Sequence, residues 1–197
     1  MNKEWSELNK TMQAQIKKKD TYKMGIDTLF NLRRQLMQTL VSFKEDLCRE
    51  DFNAIPFINA DGYHSKTIAY SIWHIFRIED IVAHTVITED EQVFFTGNYQ
   101  VRINSPIITT GNELVKQQIA DFSKQLNLEE LYSYIFEVRE STEKILERFS
   151  YDELKWKIPD ERKGYLKSLN VVNCDEKAIW LIDYWCSKDI RGLIQMP

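Results

Sequence analysis

Four long stretches of the chain carry apolar residues at three-and-four spacing, the pattern of helices with one buried face. The first sets Ile26, Leu29, Phe30, Arg33, Leu36, Met37, Leu40, Phe43 and Leu47 along one side, about six turns with one polar interruption. Its expected end is near Glu50-Asp51, before the Asn53-Ala-Ile-Pro56 loop. In the third, Asn127 can cap a helix with Glu129 and Glu130 in its first turn, and Leu131, Ile135, Val138, Thr142, Ile145 and Phe149 line its face. Ser150 and Tyr151-Asp-Glu-Leu begin its exit loop. Ahead of all four, Trp5, Leu8, Met12 and Ile16 make an amphipathic opening segment, so residues 1–21 read as an N-terminal helical arm.

The ten glycines and prolines punctuate this pattern instead of scattering through it, leaving uninterrupted windows at 26–55, 63–96, 112–158 and 165–191. The expectation is an all-α four-helix bundle in a single domain spanning 1–197. Between the second and third windows, Val93 to Thr110 carries β-type composition in Val93-Phe-Phe, Tyr99-Gln-Val-Arg-Ile and Ile107-Ile-Thr-Thr. A long loop with an extended stretch is preferred there over a short hairpin.

Length and charge narrow the picture further. A chain of 197 residues buries about 70% of its unfolded surface without metal or disulfide. The net charge of −4, with both signs interleaved, offers no broad basic surface to nucleic acid. The opening residues lack a signal-peptide core, and no window reaches the roughly 18 apolar residues of a membrane span, so a cytoplasmic protein is expected. Cys48, Cys174 and Cys186 show no Cys-x-x-Cys spacing and read as buried or half-buried thiols. Lys17-Lys-Lys19 and Arg33-Arg34 read as solvated helix faces.

The second window, Thr67 to His84, carries polar groups where a bundle helix would be apolar. At about 100° per residue, Ile68, Ile72, Ile75, Val82 and Val86 converge on one side, with Glu79 near the centre of the arc. A carboxylate in the core must meet a cation, ligate a metal, or hydrogen-bond as a neutral acid. Tyr70, Arg77 and His84 form a separate heptad-spaced polar stripe, with His74 at its edge beside Ser71 and Ile78. Arg77 and Asp80 are spaced for a weak, exposed ion pair.

His64, His74 and His84 are ten residues apart, which on a straight helix separates neighbours by about 15 Å and about 80°. A helical metal pair needs i,i+3 or i,i+4 spacing, so these three do not converge unless a sharp bend takes His64 off the helix.

The order of four long helices, the run Ser71-Ile-Trp-His-Ile-Phe-Arg-Ile-Glu-Asp80, and the last helix Trp180-Leu-Ile-Asp-Tyr-Trp-Cys-Ser-Lys-Asp-Ile-Arg-Gly192 together resemble the DinB-like superfamily over roughly residues 22–197. That superfamily includes metal-dependent thiol transferases and maleylpyruvate isomerases. The resemblance implies a four-helix bundle, often a homodimer, with a divalent metal such as nickel, zinc or iron held by one histidine of the second helix and a histidine pair of the last. His74 matches the second-helix ligand. If Arg191-Gly192 is aligned with the Arg-Gly that follows the pair in many members, the other ligand positions fall on Cys186 and Ile190, and Ile190 cannot bind metal. Alternatively, similar members continue past the equivalent of Met196-Pro197 with a segment that supplies the pair, where this chain stops.

Three functional readings follow. One is a DinB-like bundle whose metal site has decayed to His74 with Glu79 and with Asp183 or Cys186. Another is a transferase or hydrolase that uses His74, Glu79, Asp183 and Cys186 as a reduced ligand set. The third is a small-molecule-binding or interaction module in which Tyr70, Trp73, Trp180, Tyr184 and Trp185 line an apolar pocket.

Overall fold

A computed structural model describes residues 3–57 and 65–195. His64 therefore lies outside the described residues. Among them the chain is all-helical; an isolated bridge between Lys157 and Asp189 is its one β-type pairing. No helix of the described residues is long and apolar enough to cross a membrane.

The opening arm is helix α1 (Lys3–Ile16), which buries Met12 and Ile16 against α2 (Tyr22–Asp46). The two helices meet so closely at Gly25 that a Cβ there would lie 2.6 Å from the Ile16 side chain and 2.7 Å from its backbone nitrogen. Gly25 thus sits inside α2, not ahead of it. The first window then breaks at Leu47, whose backbone is extended, and restarts as α3 (Arg49–Asn53), where the Cys48 N–H donates to Asp51.

The second window becomes α4 (Ile68–Asp80), capped by Thr67, which accepts from the Tyr70 N–H. It continues as a π-helical turn, Ile81–Thr88, and ends at Glu89 in a left-handed conformation. Widening the turn frees backbone carbonyls that must find donors. The buried Arg162 guanidinium donates to the carbonyls of Thr85 and Val86, and Thr88 donates to those of Ala83 and His84. The expected loop is not wholly irregular: it contains the short helices α5 (Val93–Thr96) and α6 (Tyr99–Ile103), each set off by a left-handed asparagine, at Asn98 and Asn104.

The third window divides into α7 (Gln117–Gln125) and α8 (Leu128–Arg148). Asn127 caps α8 as its position predicts, accepting from the N–H groups of Glu129 and Glu130. After a 3₁₀ turn at Glu153–Lys155 comes α9 (Glu161–Ser168), followed by α10 (Glu176–Cys186) and α11 (Ile190–Ile194). The fourth window is therefore several helices where one is expected. Asn170 takes a left-handed conformation after α9, and Asp175 starts a fresh helix by accepting from the Lys177 N–H.

Two apolar clusters hold these elements together. One joins α4 to α5, α6, α7 and α8 through Trp73, Phe76, Phe94, Tyr99, Phe122 and Tyr134; the other joins α1 and the π-helical turn to α9, α10 and α11 through Ile16, Ile81, Leu166, Trp185 and Leu193. Two of the three cysteines depart from expectation, since Cys48 and Cys174 are exposed and only Cys186 is half-buried. Both lie beside helix starts, where the backbone turns to the surface.

Candidate functional site

The polar stripe of α4 points inward. Arg77 and Asp80 are both fully buried, so their ion pair, 3.5 Å between Nη1 and Oδ2, is not the exposed contact the spacing suggests. The cause is the neighbouring irregular chain, whose carbonyls need donors. Arg77 donates to the Ile108 carbonyl at 2.7 Å and to Gln92 at 2.6 Å, and its guanidinium lies 4.3 Å from the Phe94 ring centre. Asp80 accepts from the N–H groups of Val93 and Phe94 and from the Tyr134 hydroxyl, all at 2.9 Å. Tyr70 donates to the Gly111 carbonyl, and Gly111 sits at φ +77° where a Cβ would come within 2.7 Å of Trp73.

His74 belongs to this same seam. Its Nδ1 lies 2.6 Å from the Thr110 carbonyl, which fixes that nitrogen as the protonated donor of a neutral ring, and the ring stacks on Tyr70. Burial, aided by Lys66 and opposed by the Thr110 carbonyl, holds its pKa down at about 4.

Glu79 meets a cation, the first of its three alternatives. Arg33 grips it with two bonds, Nη2 to Oε1 at 2.6 Å and Nη1 to Oε2 at 3.1 Å, and donates from Nε to Glu143 at 3.3 Å. Arg139 closes the cluster by donating to Glu143. Arg33 is thus a half-buried ion-pair partner and not a solvated one; its neighbour Arg34 is exposed.

Beside this neutral cluster a cavity of about 370 Å³ opens between α1, α2, α4 with its π-helical turn, α8 and α11. Its wall is mainly apolar, including Trp5, Leu29, Leu32, Ile75, Val82 and Ile145. The apolar arc of α4 therefore faces a space, which is why Ile75 stays 46% exposed while Ile72 on the core side is buried. A second hollow of about 240 Å³ continues the α2/α4 seam past Leu36 and Ile75. Two polar atoms of residues in the first cavity's wall, Thr142 Oγ1 and Gln195 Nε2, are buried without a hydrogen-bond partner among the described residues.

The other expected site residues lie elsewhere. Tyr70, Trp73 and Trp185 are buried in packed core. Trp180 and Tyr184 are exposed and pack edge-to-face against each other at 5.7 Å. None of the five lines the cavity. Asp183 pairs at the surface with Lys163, near the half-buried Cys186.

The divalent metal implied by the resemblance does not fit this donor arrangement. His74 has the orientation of a ligand, with one ring nitrogen fixed by a carbonyl. Glu79 is held by Arg33 and Asp183 by Lys163, and among the described residues no three His, Cys, Asp or Glu side chains are grouped to hold a metal ion.

One constellation escapes sequence reading altogether. His84 Nε2 lies 3.0 Å from Ser141 Oγ, and its Nδ1 lies 2.6 Å from Asp90 Oδ1, which also accepts from Thr88. These are the separations of a nucleophile, base and orienter. Neither Ser141 nor His84 is among the residues lining the two cavities described above. The arrangement ties α8 to the end of the π-helical turn. Comparison with protein-family models and with curated proteins finds no match for this chain.

Proposed function

We propose that this protein is a DinB-like helical bundle that binds a small, mainly apolar molecule in the cavity between α1, α2, α4 and α8. The observation that carries the reading is the cavity itself: its volume falls within the usual range of ligand sites, and its apolar wall is broken by few polar groups. The bundle assignment draws support from the chain order of α2, α4, α8 and α10, which follows the order of the four windows. No step of chemistry is assigned, because the candidate ligands His74, Glu79, Asp183 and Cys186 each have other surroundings.

The test is binding of N-phenyl-1-naphthylamine, an uncharged fluorophore that brightens in apolar surroundings. Saturable brightening and a raised melting temperature are expected in the wild type. Ala83→Phe and, separately, Leu29→Trp place bulk in the wall and should abolish both effects while the circular dichroism spectrum stays helical. Brightening that survives in both folded variants, or no saturable binding to the wild type, overturns the reading.

A further inference from the structure

Resting on that reading, we infer that the ligand is uncharged and carries a carbonyl or hydroxyl oxygen at one end of an apolar body. Volume sets the body. An enclosed apolar cavity of about 150 Å³ holds benzene, so the space of about 370 Å³ admits a chain of roughly ten carbons or two to three rings.

Charge sets the class. The charged side chains among the described lining residues are Arg33 and Glu79, and they neutralise each other through two hydrogen bonds. The third donor edge of Arg33 is turned to Glu143, and Nη2 also reaches the Arg139 carbonyl at 3.5 Å. A carboxylate or phosphate ligand would have to displace Glu79 from Arg33, leaving that carboxylate uncompensated in a half-buried position. An ammonium would meet the same pair from the other side, with Arg33 repelling it. Either ion would lose its hydration for no free counter-charge.

Unpartnered polar atoms set the head group. Thr142 is 7% exposed, sits in an otherwise apolar stripe of α8, and its hydroxyl has no partner among the described residues. In a helix a threonine hydroxyl ordinarily bonds back to the preceding turn, as Ser133 does here to the Glu129 carbonyl. Thr142 does not, and it is one of the residues in the cavity wall. Gln195 adds an unpartnered amide N–H₂ donor in the same wall. A buried polar group left unmatched is destabilising, and an oxygen on the ligand, reached by a turn of either side chain, would satisfy it. An alcohol, with one proton of its own to give, could also donate to Thr142.

Competition against N-phenyl-1-naphthylamine separates the classes. Decanol and decanamide should displace the fluorophore at concentrations at least about tenfold lower than decanoate or decylamine. Thr142→Val should weaken decanol and decanamide about fivefold, the worth of one neutral hydrogen bond, after correction for the fluorophore's own affinity measured in that variant. Thr142→Ser, which keeps the hydroxyl, should restore most of the loss and serves as the control for folding. Decanoate or decylamine competing as well as decanol, or Thr142→Val leaving all four unchanged, overturns the inference while the binding reading stands. If the fluorophore itself does not bind, both fall.

Discussion

Replacing Asp80 with alanine tests the polar seam that anchors α4 to the segment 93–113. In the wild type this fully buried carboxylate accepts three hydrogen bonds, from the Val93 and Phe94 N–H groups and the Tyr134 hydroxyl, and faces the Arg77 guanidinium. Burial raises its pKa, while Arg77, the Phe94 N–H and the Tyr134 hydroxyl pull it back down, so the ionised form is held against a desolvation cost. The alanine variant leaves two backbone donors, one hydroxyl and one buried cation without their acceptor. Breaking one side of a buried pair destabilises by about 3–5 kcal/mol, so about 4 kcal/mol is expected. For a chain of this length that is a fall in Tm of roughly 8–16 °C. Asp80→Asn keeps one carbonyl oxygen and should lose about half as much. Urea unfolding followed by circular dichroism reads both values. A loss below about 1 kcal/mol for the alanine variant would refute the claim that this network holds the seam.

Three further outcomes follow from the same structure. Gly25→Val forces α1 and α2 apart at Ile16 and should destabilise by about 1–3 kcal/mol, with α1 becoming more susceptible to proteolysis; an unchanged melt would contradict the close approach. Asn127→Ala removes the cap of α8 and should cost about 1 kcal/mol in chemical denaturation, with Asn127→Asp recovering it. His74 has a folded pKa of about 4 against an ordinary 6.5, so as pH falls the unfolded chain takes up its proton first. Its contribution is complete above pH 6.5, falls between 6.5 and 4, and is flat below. After allowance for its half-exposed edge the loss is roughly 2–3 kcal/mol. His74→Asn should flatten the stability profile over that window, and an unchanged slope would show that the ring is not held neutral.

Much of the helical framework is legible in the sequence because its causes are local. Met12 and Ile16 on α1, the Asn127 cap, and the stripe from Leu131 to Ile145 are all set by spacing within a few turns. The inward carboxylate of Glu79 is legible, but the partners of the polar interior are not, because they are distant. Arg33 finds Glu79 across 46 residues, and Arg77 turns inward to satisfy the Ile108 carbonyl across 31. Spacing alone therefore reads Arg77 and Asp80 as exposed and Arg33 as solvated. The π-helical turn also changes the phase of the second helix after Asp80, so an arc drawn at a constant 100° joins Ile75, on the cavity, to Val86, in the core. The fourth window breaks at Asn170 and Asp175 without a glycine or proline to mark it. One signal for the cavity was present in the sequence: Thr142 is the polar member of the buried stripe on α8.

The central claim is that a small uncharged molecule occupies the cavity, and Trp5 in its wall provides the direct readout. Titration of 10-bromodecan-1-ol, whose bromine quenches indole emission at short range, should lower the protein's fluorescence saturably. In Trp5→Phe that loss should vanish, since Trp73, Trp156, Trp180 and Trp185 lie outside the wall. Equal quenching in both proteins, or a decline that never saturates, would contradict occupancy of the cavity.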